Sequence, residues 1–125
     1  MHYSTLTRRY FAAAPGAGSL TGRGVATGIA GSREQGAWVQ LQVRTEADGG
    51  GNLRVVEAGF LAFGCPHTIA AAAWLAEQAT GRLLTADLPL PVEAIRQLFD
   101  APVEKLGRLL VVEDAWRGVC AAAGV

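Results

Sequence analysis

Between Trp38 and Thr45 the chain alternates strictly: Val39, Leu41 and Val43 are apolar, and Gln40, Gln42 and Arg44 between them are polar. A period of two marks a strand with one buried and one wet face. The run Asp48-Gly49-Gly50-Gly51-Asn52 follows, rich in turn residues, and leads into a further strand over Leu53 to Phe63. That strand is apolar at both parities, which predicts a central place in the sheet. Val25 to Ala30 carries a weaker strand signal. Before it, the Gly-rich stretch Gly16 to Gly24 follows a short helix predicted over Thr5 to Ala14, with Ser4 as its N-cap and Pro15-Gly16 as its stop.

After Phe63 the period changes to that of helices. Gly64-Cys65-Pro66 marks the switch, since proline suits the first helical position, where its missing N–H is not needed. This helix is predicted to run to about Thr80 and stop at Gly81. Ile69, Ala72, Ala73 and Ala76 give it a small-residue face that can lie close to a sheet. Leu88-Pro89-Leu90-Pro91 is a connector, and Pro91 opens a helix through Phe99. The last helix starts near Val103 or Leu106, with Leu109, Val112, Trp116 and Val119 on one face. Strands first and helices afterwards predict an α+β fold, a three-stranded antiparallel sheet with helices packed on one side, formed by residues 1–125 as one domain.

Composition narrows the function. The 125 residues are 50% apolar and 18% charged, which suits a folded globular chain. Eleven basic residues balance eleven acidic ones, so the excess positive charge of a nucleic-acid binder is missing. No run approaches the roughly 18 apolar residues of a membrane span, and Met1 to Thr5 lack the order of a signal peptide. A cytoplasmic location is expected. Two cysteines, Cys65 and Cys120, are too few for a disulfide framework.

Chemical promise is concentrated in Phe63-Gly64-Cys65-Pro66-His67. A thiol at a strand-to-helix junction meets the unpaired N–H groups and partial positive charge of the helix start, which favour thiolate. His67 can donate to that thiolate if its ring turns back, although a histidine at a helix start is more often a polar surface residue. Set against a reactive Cys65 is the tendency of free cysteines to be buried and inert. Cys120, beside the apolar stripe of the last helix, reads as structural, and His2 says little. No Cys-x-x-Cys or helical His pair offers a metal site. No Gly-x-Ser-x-Gly elbow is present, and Gly22-Arg23-Gly24 lacks the Lys-Ser/Thr ending of a phosphate loop.

Phe63-Gly64-Cys65-Pro66-His67-Thr68-Ile69-Ala70 resembles the Phe-Gly-Cys-Gly-Ser-Ala-Ile-Ala segment of the NifU/IscU-type iron–sulfur cluster assembly scaffolds. Tyr3-Ser4, Tyr10, Pro15 and Gly18-Ser19-Leu20 are similar to that family's N-terminal helix and loop. Gly31 to Val43 is similar to its first cysteine loop and strand, with Gly36, Leu41 and Gln42 in place. Lys105-Leu106 and Val112-Glu113-Asp114-Ala115 match its last helix. The resemblance implies the same three-stranded α+β fold. It also implies a setting in which a cysteine desulfurase supplies sulfur and a cluster is built on three cysteines, an aspartate and a histidine.

Where the family has its first cysteine and its aspartate, this chain has Gln35 and Ala37, and the His-Cys pair of the last helix falls on Gly107-Arg108. Of the metal ligands only Cys65 carries over, and a guanidinium at Arg108 cannot replace a thiolate. The chaperone-recognition segment falls on Ala101 to Lys105, with only Pro102 and Lys105 in register. The 2Fe-2S cluster, iron or zinc that the family implies is therefore not expected to be held by one chain alone. SufE-type sulfur acceptors share the fold and use one cysteine at this junction. Three readings follow for a non-enzymatic assembly protein. Cys65 accepts or relays sulfur, supported by His67, Arg108 and Gln35. Alternatively, the chain binds and regulates a cysteine desulfurase or another assembly protein without chemistry. A third possibility is a homodimer that pools Cys65 and His67 from each subunit to bind iron or a cluster; the other two readings require only a monomer.

Overall fold

The alternation read at 39–43 is realised in the middle strand of the sheet. The computed structural model describes residues 2–125. Helix α1 (Thr5–Ala13) precedes three strands, β1 (Val25–Ser32), β2 (Ala37–Ala47) and β3 (Leu53–Phe63); α2 (Pro66–Ala79), α3 (Val92–Leu98), a 3-10 turn (Val103–Lys105) and α4 (Leu106–Ala123) follow. The strands pair antiparallel in the order β1-β2-β3. Ala37, Val39, Leu41 and Val43 of β2 are buried, and the residues between them are partly exposed.

Helices α2 and α4 cover that inner face. In α2 the buried set runs through Ala70, Ala71, Ala72, Ala73 and Ala76, whose small side chains let the helix approach closely. In α4 the stripe Leu109, Val112, Trp116 and Val119 is buried as its spacing predicts. Helix α4 and β1 approach closely at Gly28, where a Cβ would stand 2.0 Å from the Ala115 carbonyl oxygen. Helix α1 starts as predicted: the Ser4 hydroxyl accepts from the Thr7 N–H at 3.1 Å and donates to the Phe99 carbonyl at 2.8 Å. The Asp48 carboxylate accepts from the N–H groups of Gly50 and Asn52 and so shapes the β2–β3 turn.

One expectation is overturned. β2 is central and β3 lies at the sheet's edge. The apolar character of β3 has two other causes. Its free edge is covered by irregular chain: Gly18 and Phe60, then Gly16 and Phe60, exchange backbone hydrogen bonds, and Arg82 and Leu84 bond with Val55 and Leu53. An edge closed in this way is shielded from water and from other strands. Its outer face carries Leu61 and Phe63, both exposed, alongside Trp38 and Gln40 of β2 and Ile29 of β1. The Arg33 guanidinium lies 5.3 Å from the centre of the Phe63 ring. Among the described residues no helix is long and apolar enough to cross a membrane.

Candidate functional site

Phe63 ends β3, and after two intervening residues α2 begins at Pro66. Gly64 makes the turn between them with φ 152°, a conformation side chains rarely adopt; a Cβ there would also stand 3.1 Å from Thr68 and 3.3 Å from the Gly36 carbonyl oxygen. Cys65 is therefore the N-cap residue of α2, with extended backbone at φ −74° and ψ 167°. Its thiol is half-buried, neither sealed in the core nor fully in water.

The sulfur makes no direct capping bond to a first-turn N–H. Its nearest polar neighbour is the Thr68 hydroxyl, with Sγ and Oγ1 3.6 Å apart. Burial by itself pushes the Cys65 thiol up. The Thr68 N–H and hydroxyl, the His67 N–H and the Lys105 charge together outweigh burial, and the thiol lies below its ordinary value. Helix-end dipoles, one hydroxyl and one ammonium thus favour thiolate.

One sequence expectation is corrected here. His67 is not at the surface: it is 1% exposed, and its ring packs against Tyr3 with centroids 4.9 Å apart. Neither ring nitrogen has a hydrogen-bond partner among the described residues, so the backbone N–H of His67, not its imidazole, serves Cys65. Burial, then the Lys105 charge, holds the imidazole below its ordinary value. The Lys105 charge contributes to lowering the Cys65 thiol. Arg108 instead donates from Nη1 to the Gly36 carbonyl oxygen. In the structure both ring nitrogens are closed to solvent, so a dimeric Cys65/His67 site would require the ring to be uncovered from Tyr3. Cys120 is buried as expected; burial pushes its thiol up, and its sulfur donates to the Thr85 carbonyl at 3.3 Å.

Gln35, Ala37, Gly107 and Arg108, far apart in sequence, line one shallow groove of about 500 Å³ with Glu104 and Asp114. Cys65 does not line it, but the Gly36 carbonyl oxygen, which accepts from Arg108, lies close to the turn at Gly64, 3.3 Å from where a Cβ there would stand. Gln35 is exposed and turns its N–H to the Ser32 hydroxyl at 3.1 Å. No group of three or more His, Cys, Asp or Glu side chains able to hold a metal ion occurs among the described residues. The residues present therefore do not fit an iron–sulfur cluster or a zinc ion.

Sequence reasoning missed Thr68 and passed over Lys105 as a site residue. Thr68 carried a usable signal, because the third residue after a cap is the one whose N–H and side chain face it.

The model of the NifU-like N-terminal domain matches residues 3–119. The chain belongs to that family. Its NifU-like fold recurs in solved structures. A protein from thermophilic Fervidobacterium islandicum AW-1, described as a candidate iron–sulfur cluster assembly scaffold for the SUF system, superposes with a TM-score of 0.64 at 14% identity, over 96% of this chain and 95% of its own. A protein of unassigned function superposes with a TM-score of 0.57 at 18% identity, over 96% and 98%. At these identities the likeness is one of fold. No curated protein sequence matches this NifU-like chain.

Proposed function

We propose that this NifU-like domain works in iron–sulfur cluster assembly as a sulfur acceptor, with Cys65 as the accepting thiol and a cysteine desulfurase as the donor. The observation that carries the reading is the setting of Cys65: a half-buried thiol at the start of α2, 3.6 Å from the Thr68 hydroxyl and lowered below its ordinary value by Thr68, the His67 N–H and the Lys105 charge. The lack of a metal-holding cluster among the described residues supports sulfur handling over cluster holding.

In the step proposed, the Cys65 thiolate attacks the outer sulfur of a persulfide on the donor. The donor's S–S bond breaks as a new one forms on Cys65, and the donor cysteine leaves as a thiolate. One sulfur atom moves with its proton, and no outside oxidant or reductant enters. The N–H dipoles of α2 and Lys105 stabilise the negative charge on Cys65 before attack and on the persulfide afterwards. The test is sulfur uptake from an active desulfurase, with Cys65→Ser set against Cys120→Ser.

One observation favours a second reading, a binding partner without chemistry. The exposed side chains of Ile29, Leu61 and Phe63, with the partly exposed Trp38, form an apolar area that ends at the Cys65 turn. On this reading a desulfurase or another assembly protein binds Cys65→Ser as tightly as the unchanged chain, and no sulfur is transferred.

A further inference from the structure

Three segments distant in sequence meet at one backbone oxygen. The carbonyl of Gly36, in the β1–β2 turn, accepts from the Arg108 guanidinium in the first turn of α4. The same oxygen lies 3.3 Å from where a Cβ on Gly64 would stand, directly before Cys65. Gly36 itself leaves no room for a side chain: its φ is 80°, and a Cβ would meet Arg108 Nη1 at 2.6 Å. The turn it closes is ordered locally, by Gly36 N–H to the Arg33 carbonyl at 3.0 Å and Gln35 N–H to the Ser32 hydroxyl at 3.1 Å. The family resemblance puts Gln35, Ala37 and Arg108 at ligand positions, and among the described residues no group of three or more metal-ligating side chains occurs.

We propose that Arg108 is a metal-independent clamp: its hydrogen bond to Gly36 ties the β1–β2 turn to the start of α4, with the Cys65 turn packed closely against the same carbonyl, the task that shared ligation of a metal would otherwise perform. A guanidinium suits the role because it is charged at every physiological pH and presents several N–H groups from a rigid plane. Its bond to a carbonyl is charge-assisted and half-buried, which strengthens it over a neutral one. Arg108 is a positioning residue in this account, acting on Cys65 only through Gly36 and Gly64. A consequence that rests on the sulfur-acceptor reading is that Cys65 takes up sulfur with no metal bound.

The experiment is amide hydrogen exchange on chelator-treated protein, with and without added zinc, for the unchanged chain, Arg108→Ala and Arg108→Lys. Arg108→Ala speeds exchange at Gln35, Gly36 and Ala37 at least tenfold and leaves the β2 interior unchanged, whereas Arg108→Lys keeps part of the protection. Zinc alters neither the exchange nor the melting temperature of the unchanged chain. A triple variant, Gln35→Cys with Ala37→Asp and Arg108→Cys, gains zinc-dependent protection at the same amides. If Arg108→Ala does not fold, Arg108→Met, which keeps the apolar stem and removes every N–H donor, gives the same local loss. One zinc ion bound per unchanged chain with a raised melting temperature overturns the proposal, and so does unaltered exchange in the folded Arg108 variant. Failure of sulfur uptake with these results intact counts against the acceptor reading and leaves the clamp standing. Uptake that disappears on chelation contradicts the metal-free consequence.

Discussion

The sulfur of Cys65 and the hydroxyl of Thr68 lie 3.6 Å apart, one on the cap and the other in the first turn of the same helix. Thr68 is fully buried, so water does not compete for its hydroxyl. A hydroxyl in this position stabilises a thiolate more than a thiol. Thr68→Val, nearly the same shape, removes it and moves the Cys65 thiol back up. Reaction with a small aromatic disulfide at neutral pH then slows roughly fivefold, the factor that about 1 kcal/mol represents. Thr68→Ser keeps the hydroxyl and most of the rate. Equal rates in all three proteins refute a role for the hydroxyl.

His67 makes stability depend on acid. Its folded-state value is lowered, so below the ordinary histidine value near 6.5 the unfolded chain binds a proton that the folded chain refuses. Its contribution to stability is complete above that value and is lost as pH falls towards the lowered one. His67→Phe keeps a ring against Tyr3 and removes two unpaired nitrogens. The variant is expected to melt no lower than the unchanged chain at neutral pH and to show a flatter decline of melting temperature below pH ~6.5. Parallel curves for the two proteins contradict this assignment.

Two glycines are expected to respond in opposite directions. Gly28→Ala drives a methyl group into the α4 backbone at Ala115 and Val119. Neither strand nor helix can yield without opening the core, and destabilisation of at least about 3 kcal/mol is expected in denaturant titration. Gly107→Ala meets nothing within 4 Å and lies in α4. It is expected to stabilise by about 0.5–1 kcal/mol through helix propensity.

Much of this architecture was legible in local pattern. Ser4, the alternation through Val43, the Asp48 turn, Pro66 and the α4 stripe each act over a few residues, and each appears where the pattern places it. What was not legible depends on distant chain. The edge position of β3 is disguised because residues 16–18 and 81–84 cover that edge. His67 is buried because Tyr3, far off in sequence, lies over it. Which charges bear on Cys65 depends on how the 3-10 turn at Val103–Lys105 leads into α4: Arg108 donates to Gly36, while the Lys105 charge helps lower the thiol.

The outer apolar area offers a separate test of partner binding. Leu61→Ser combined with Phe63→Ser is expected to weaken binding to a cysteine desulfurase roughly tenfold or more, as loss of a central aromatic anchor does. Cys65 should still react with the small disulfide at close to the unchanged rate. Unaltered desulfurase binding places the partner's contact elsewhere on the surface.

The most direct test of Cys65 as the sulfur acceptor is intact mass after incubation with an active cysteine desulfurase and cysteine, without reductant, for the unchanged chain, Cys65→Ser and Cys120→Ser. The account predicts the added mass of sulfur on the unchanged chain and on Cys120→Ser, and none on Cys65→Ser. Sulfur on Cys65→Ser, or on none of the three while the desulfurase turns over, contradicts it.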